Sequence, residues 1–554
     1  MGFLLSAPWP AAAGAAGKIA GWTGRTPIVT EPAGRTVIII SMKMKIASRR
    51  HGPAPAFAVR PGQRVLACVL SLAALCTVPS VPAQPVGLPS MGAASATELS
   101  PLQERRLGDA IMVQGRMDPS YIGDADLIQY LTELGEGLAK FAPNGQIPVQ
   151  IFGLKDPTIN AFAMPGGYIG VHSGLIVSSE SESELAGVVA HEIGHVSQRH
   201  IARGLTQQSQ NSGVMMAAVA AALLAAVAGG GADLATGLAA FGQAAAIDRQ
   251  LGFSRDAERE ADRAGVEMLR KAGYDPNGMV HMFARLMNAS RLNEGTGGGA
   301  YASTHPLSLD RMSDMQNRVR MLPPVNHASS PAFWFLRARL RVQQASDPQA
   351  RQRVEAQLRD EARADSGVRR ASALYGQALL ALQRNDLEGA GRLLAASRAD
   401  GMETPQQAAL EVEIAWAGKQ DARQLAAAAW KRWPEQQLMV RLNAQALQRA
   451  GDHAGAVAFL DERLKDDRPV LRDSLLYQLR AQSLEQLGRK AQARRDMARY
   501  YRETGALAAA VGQLRQARGM TSDFYEQSQI DAEINDIQRQ LEDERVLLER
   551  FRAS

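Results

Sequence analysis

Residues 185 to 200 read Leu-Ala-Gly-Val-Val-Ala-His-Glu-Ile-Gly-His-Val-Ser-Gln-Arg-His, and the run His191-Glu192-Ile193-Gly194-His195 inside them decides how the remainder is read. On an α-helix His191 and His195 stand one turn apart on one face, so two imidazole nitrogens can converge on one Zn²⁺ while Glu192 reaches a water held by that ion. This is the layout of a metal-dependent hydrolase. Ser181, followed three places on by Glu184, predicts a capping box at the start of the helix, and Leu185, Val189, Ile193 and Val196 supply an apolar stripe. The plain alternative is a core helix with two incidental histidines.

Zinc at a hydrolytic site takes a third protein ligand and keeps one position open. The best source is Phe253-Ser-Arg-Asp-Ala-Glu-Arg-Glu-Ala-Asp-Arg-Ala-Gly265, a predicted helix bounded by Gly273 and Pro276. There Glu258 is the candidate ligand. Asp262, one turn on, is an acceptor behind Glu258 or a ligating histidine, or a group that transfers protons. Glu260 projects about 200° from Glu258 around the axis and is expected in solvent. His305, in Ser303-Thr304-His305-Pro306, has three readings: a hydrogen-bond donor to a tetrahedral oxyanion, a fourth zinc ligand that holds the site latent, or a loop cap.

Upstream, residues 100 to 141 read as helix and 149 to 154 as a strand. Residues 160 to 175 give two β-like runs broken by Pro165-Gly166-Gly167, hence a hairpin just before the metal helix. An edge strand there could take an extended peptide by strand addition. His172 lies in this hairpin and is not expected to bind metal.

The 554 residues carry a formal charge of +6, but residues 1 to 83 hold nine Lys/Arg against the single acid Glu31, so the rest is close to −2 and offers no case for nucleic acid. The basic stretch runs into an apolar segment, residues 65 to 78, and then Val81-Pro82-Ala83. This reads as a secretory signal peptide cleaved near Ala83, the alternative being an uncleaved anchor, and its positive end lies so far from Met1 that Met42 or Met44 is the candidate start, with the residues before it an extension. Both cysteines, Cys68 and Cys76, lie inside it. The exported chain therefore has no thiol nucleophile and no Cys-based metal site. The Ala-rich residues 214 to 228 are short for a bilayer and read as a helix packed near the site, a lid, or a surface that makes peripheral membrane contact.

From Pro331 on, strand signals vanish and turns recur at Asn385-Asp386, Gly418-Lys419, Gly451-Asp452 and Gly488-Arg489, separated by 33, 33 and 37 residues. Small residues flank them, as in Ala378 and Ala390, Ala444 and Ala456, Ala481 and Ala493. The period is that of tetratricopeptide (TPR) helix pairs, which stack into a superhelix whose concave face binds proteins. An irregular helical bundle is the alternative.

The blocks Asn160-Ala-Phe-Ala-x-Pro-Gly-Gly-Tyr, His191-Glu-x-Gly-His195, Ser254-Arg-x-x-Glu258-x-x-Ala-Asp262 and Ser303-Thr-His-Pro306 resemble the zinc metallopeptidase family that includes HtpX and the CAAX prenyl endopeptidase. The resemblance implies zinc at His191, His195 and Glu258, catalysis by Glu192, and a functional carboxylate at Asp262. End to end, the chain is similar to periplasmic proteins that join this peptidase to tetratricopeptide repeats. That likeness implies outer-membrane β-barrel proteins and their assembly machinery as partners. The expected fold is α+β and mostly helical. A signal segment (1–83) precedes a zinc metallopeptidase domain with a small β-sheet (95–320), an all-α TPR superhelix (325–520) and a C-terminal helix (521–554). The expected function is periplasmic zinc-dependent proteolysis of misassembled outer-membrane proteins with help to their assembly; the alternative is chiefly a chaperone or scaffold with a latent peptidase site.

Overall fold

Strands β1 (Gln150–Leu154), β2 (Ala161–Met164) and β3 (Tyr168–His172) form a sheet of order β1-β3-β2. In this computed structural model, which describes residues 100–209, 254–292, 299–399, 401–465 and 473–553, β3 is central. It runs parallel to β1, with Gln150 opposite Tyr168, and antiparallel to β2, with Ala161 opposite Val171. The β2–β3 turn is the expected Pro-Gly-Gly, and only glycine fits it. Gly166 and Gly167 have φ of 80° and 83°, and a Cβ on Gly167 would lie 2.3 Å from the Pro148 carbonyl oxygen. The segments 1–83 and 214–228 lie outside the described residues, as does most of the glycine run at 295–299.

Helices α1 (Pro101–Gly115) and α2 (Ala125–Ala139) precede the sheet. α3 (Ser173–Ser178), α4 (Glu182–Ser197), α5 (His200–Ser209), α6 (Arg255–Ala272), α7 (Asn277–Leu292), α8 (Gly299–Thr304) and α9 (Leu309–Arg320) follow it. The predicted stripe on α4 is real, since Leu185, Val189 and Ile193 are fully buried, but so is the rest of the helix through His195. α4 and α6 cross at Gly194, where a Cβ would come within 3.0 Å of the Ala261 backbone. The missing side chain inside the His-Glu-Ile-Gly-His motif is thus what lets the two site-bearing helices approach.

α10 (Pro331–Gln344) closes this core with Phe333, Trp334, Leu336 and Leu340. After α11 (Pro348–Ala364) come the helix pairs α12–α13 (Gly367–Gln383, Leu387–Ser397), α14–α15 (Pro405–Ala417, Arg423–Arg432), α16–α17 (Gln437–Arg449, His453–Arg463), α18–α19 (Leu475–Gln486, Lys490–Glu503) and α20–α21 (Leu507–Met520, Phe524–Ala553). The recurrent turns of the sequence are the hinges within these pairs, and Asn385, Lys419, Gly451 and Gly488 all take left-handed backbone there. Ala378, Ala390, Ala444, Ala456, Ala481 and Ala493 are all buried where paired helices meet. Asp386 and Asp452 cap the second helix of their pairs in the same manner, each accepting from a glycine N–H three places on. The array is a tetratricopeptide-like superhelix. No helix among the described residues is long and apolar enough to cross a membrane.

Successive pairs of the array contact the start of α2. Asp126 accepts from Arg339 Nη2 at 3.1 Å and from Gln406 Nε2 at 2.9 Å, Asp124 accepts from Arg339 at 2.8 Å, and the Gly123 carbonyl accepts from Arg441 at 3.1 Å. Gln129 bonds Glu435 O and Gln437 N–H. Further along, the Thr504 carbonyl accepts from Arg116, beyond the end of α1, at 2.9 Å.

Glu413 on α14 shares the field of Arg339 with Asp124, and burial pushes its carboxyl up to about 7. A carboxyl raised in the folded state above its ordinary 4.5 adds nothing to the pH dependence below that value, costs stability as pH rises from there to about 7, and imposes the full, constant cost above it. Glu413→Gln is therefore expected to raise the melting midpoint near pH 8 and leave it unchanged near pH 4, as calorimetry at the two pH values checks.

Candidate metal centre

The helix that carries the two histidines is anchored at its first turn. Ser181 accepts from Glu184 N–H at 3.3 Å. The reciprocal half of the expected capping box is absent, because the Glu184 carboxylate turns to Glu180 N–H and to Arg285. Buried Glu182 accepts from Tyr130 Oη, Ser330 N–H and Ser330 Oγ at 2.9, 2.7 and 2.7 Å, and His327 Nε2 lies 3.2 Å from it. This ties the start of α4 to the start of α10.

One turn of helix places His191 Nε2 and His195 Nε2 3.0 Å apart. Glu258 comes from α6, with Oε2 3.5 Å from His191 Nε2 and Oε1 3.5 Å from His195 Nε2. His305, just past α8, stands over the same point: its Nδ1 is 3.0 Å from Glu258 Oε1 and its Nε2 3.5 Å from Glu192 Oε1. All four side chains are buried, and one donor atom of each lies within 4.8 Å of the others. Glu192 Oε1 also accepts from Tyr301 Oη at 3.4 Å, while its Oε2 is buried and meets no protein donor. Imidazole nitrogens and a carboxylate converging in a buried space fit a transition-metal ion of the zinc type, and the donor-poor Glu192 Oε2 beside them fits a water on that ion.

Asp262 does not join the ring of donors. Its Oδ1 lies 3.0 Å from His191 Nδ1, behind the metal-facing nitrogen, and both its oxygens are engaged by Arg311, Nε at 2.8 Å and Nη2 at 2.7 Å. Arg311 Nη1 reaches Glu258 Oε2 at 2.6 Å and donates to the Pro306 carbonyl at 2.9 Å. The single guanidinium thus fixes two carboxylates of α6 and the loop that carries His305. Nothing in the sequence singled it out; only its position six residues past His305, at the start of an amphipathic helix, hinted at it.

Glu260 is partly solvated, its side chain 36% exposed, but it is not without partners. It accepts from His200 Nε2 at 3.1 Å and from Arg203 at 3.2 Å, because the chain turns at Arg199 and lays α5 against that side of α6. His172 stays away from the cluster, with Nδ1 2.8 Å from Thr158 Oγ1.

The electrostatics suit the donor set. Burial, with His191 adjacent, holds the His195 ring well below the ordinary imidazole range, so it is neutral and able to ligate. Burial works against charge on Glu258 and Asp262, yet His305 and His191 hold the former well below the carboxylate range, and Arg311 and His191 hold the latter below it. Glu192 is different: burial pushes its carboxyl up, which makes it the better proton carrier.

A helix-borne donor set of this kind, with a glutamate suited to carry protons beside it, is that of a metal-dependent hydrolase. The profile described as Peptidase family M48 matches residues 127–319. The chain is 35% identical over 338 residues to the candidate beta-barrel assembly-enhancing protease of Vibrio cholerae, across 60% of this chain and 67% of that one. It is 32% identical over 309 residues to the beta-barrel assembly-enhancing protease of Escherichia coli K12, across 55% of this chain and 62% of that one. A metalloprotease of the same bacterium, LoiP, is 29% identical over 238 residues, 42% of this chain and 88% of that one. The chain belongs to peptidase family M48, and the aligned part spans about two thirds of the two assembly-enhancing relatives.

Arg311→Lys keeps one charge but cannot bridge two carboxylates and a carbonyl. Zinc affinity is expected to fall about 10–100-fold with the far-ultraviolet circular dichroism unchanged, as competition against a chromophoric chelator measures.

Proposed function

We propose that this chain is a zinc-dependent endopeptidase of the periplasm that cleaves misassembled outer-membrane β-barrel proteins and assists their assembly through its helical array. The observation that carries the reading is the convergence of His191, His195, Glu258 and His305 within 4.8 Å, with Glu192 beside them. The substrate class is supported by the names of the Vibrio and Escherichia relatives. Periplasmic export is supported by the basic and apolar sequence before Ala83. The working division is a peptidase domain at 95–320, repeats at 325–520 and a C-terminal helix at 521–554.

His191, His195 and Glu258 would hold the ion. Zinc, when bound, supplies an acidified water and a positive charge opposite the developing oxyanion. Glu192 Oε2 takes the proton of the attacking water, and the same carboxyl passes it to the leaving amine. Its buried, raised state keeps the carboxyl basic enough to take the proton and acidic enough to release it. Asp262 holds the proton of His191 on Nδ1 so that Nε2 faces the ion; with both oxygens bound by Arg311 it is a positioning group rather than a proton shuttle. Tyr301 Oη and His305 Nε2 are the donors available to an oxyanion near Glu192.

A second reading, a scaffold or chaperone with a latent peptidase site, is favoured by one observation: His305 stands among the donors where a substrate carbonyl has to enter. The two readings separate experimentally. Glu192→Gln is expected to retain one zinc per chain by metal analysis while cleavage of an unfolded β-barrel substrate falls by at least about 10²-fold; full cleavage by that variant would defeat the enzymatic assignment. His305→Ala is expected to change the turnover number by at least about tenfold, upward if the imidazole blocks the site and downward if it serves the oxyanion.

A further inference from the structure

The chain leaves α4 through one residue of unusual backbone. Arg199 takes a φ of 54°, in the left-handed region, which strains a residue that has a side chain. On an uninterrupted helix a residue five places past His195 would lie about 140° around the axis from it. The turn at Arg199 instead returns the chain so that His200, the first residue of α5, sets Nδ1 2.9 Å from His195 Nδ1, with the ring centroids 4.9 Å apart and the planes at 75°. Arg199 is secured in that conformation by Glu104 on α1, whose Oε1 accepts from its Nε at 3.2 Å and its Nη2 at 2.9 Å. His200 is buried, and its other nitrogen, Nε2, lies 3.1 Å from Glu260 Oε2 on α6. The Glu260 side chain is 36% exposed and also accepts from Arg203.

We propose that His200 and Glu260 are positioning residues for the metal ligand His195: His195 Nδ1–H donates to His200 Nδ1, and His200 Nε2–H donates to Glu260. This deepens the zinc-site reading given above and rests on it. The direction of the two bonds follows from the ends of the relay. Ionised Glu260 can only accept, so the proton of His200 is held on Nε2 and its Nδ1 lone pair is left to accept. His195 must then carry its proton on Nδ1, which leaves the Nε2 lone pair turned toward His191, Glu258 and the ion. The opposite tautomer of His200 would set two N–H groups head to head at 2.9 Å. α6 therefore steadies both ligating rings, His191 directly through Asp262 and His195 through an intervening imidazole that ends at Glu260. The strained turn at Arg199 is the structural device that makes the second arm possible.

The test uses the full chain and two readouts besides proteolysis: the zinc dissociation constant by competition with a chromophoric chelator, and the visible absorption bands of the cobalt(II)-loaded protein. His200→Phe keeps a ring but offers no acceptor; zinc binding is expected to weaken about tenfold or more and the cobalt bands to shift. His200→Asn, whose amide oxygen can accept from His195, is expected to recover most of the affinity. Glu260→Ala, a change at the surface, is expected to weaken zinc in the same direction by several-fold, and it serves if the ring substitution fails to fold. Wild-type zinc affinity in His200→Phe, or an equal loss in the Phe and Asn variants, would overturn the relay while leaving the metal site standing. Absence of zinc binding in the unaltered protein would overturn the metal site itself, and the relay with it.

Discussion

Three carboxylates, those of Glu192, Glu258 and Asp262, are buried in one core, and a charge taken out of water has to be met by opposite charge or by donors. Arg311 answers one of the three. The other two, Glu192 and Glu258, face the space between the histidines, where a divalent cation would answer them. The rest of the catalytic half is arranged around that requirement. α4 lacks a side chain at Gly194 so that α6 can come close enough for its carboxylates to face the histidines, and α9 is capped by Ser308 so that Arg311, in its first turn, points back into the same space. A buried polar group is tolerated only inside a network that satisfies it, and here the network and the site are one object.

The same logic runs along the seam between the catalytic half and the helical array. The start of α2 presents Asp124, Asp126 and Gln129, and three different parts of the array answer them with Arg339, Gln406 and Gln437. The polar groups at the start of α2 are thus met by other helices of the chain, while Glu133 and Glu136 further along it stay in solvent. The array has thus committed part of its own surface to the catalytic half.

Much of this was legible because the relevant signals are local. The spacing of His191 and His195 fixes their shared face whatever surrounds the helix, Pro165-Gly166-Gly167 admits few backbone paths, and the turns from Asn385 to Gly488 repeat at a steady interval. What was not legible arises from contacts between segments distant in sequence. Arg311 reads as one basic residue among many in an amphipathic helix until α6 is placed against it. Glu260 looks unpartnered on a helical wheel because the wheel does not contain α5. Glu184 satisfies a capping pattern by spacing, yet Arg285, a hundred residues on, draws its carboxylate away. The left-handed turn at Arg199 carries no glycine or asparagine to announce it.

Ser330 caps α10 and at the same time bonds the carboxylate at the head of α4, while Phe333, Leu336 and Leu340 of α10 lie in the same apolar core as Leu185, Val189 and Ile193 of α4. The first helix past the loop is therefore the lid of the catalytic core and the foundation of the superhelix at once. For the lineage this sets a rule of inheritance: the array can lengthen, shorten or diverge at its far end, but recombination that joined a different array upstream of Ser330 would leave the catalytic core unroofed.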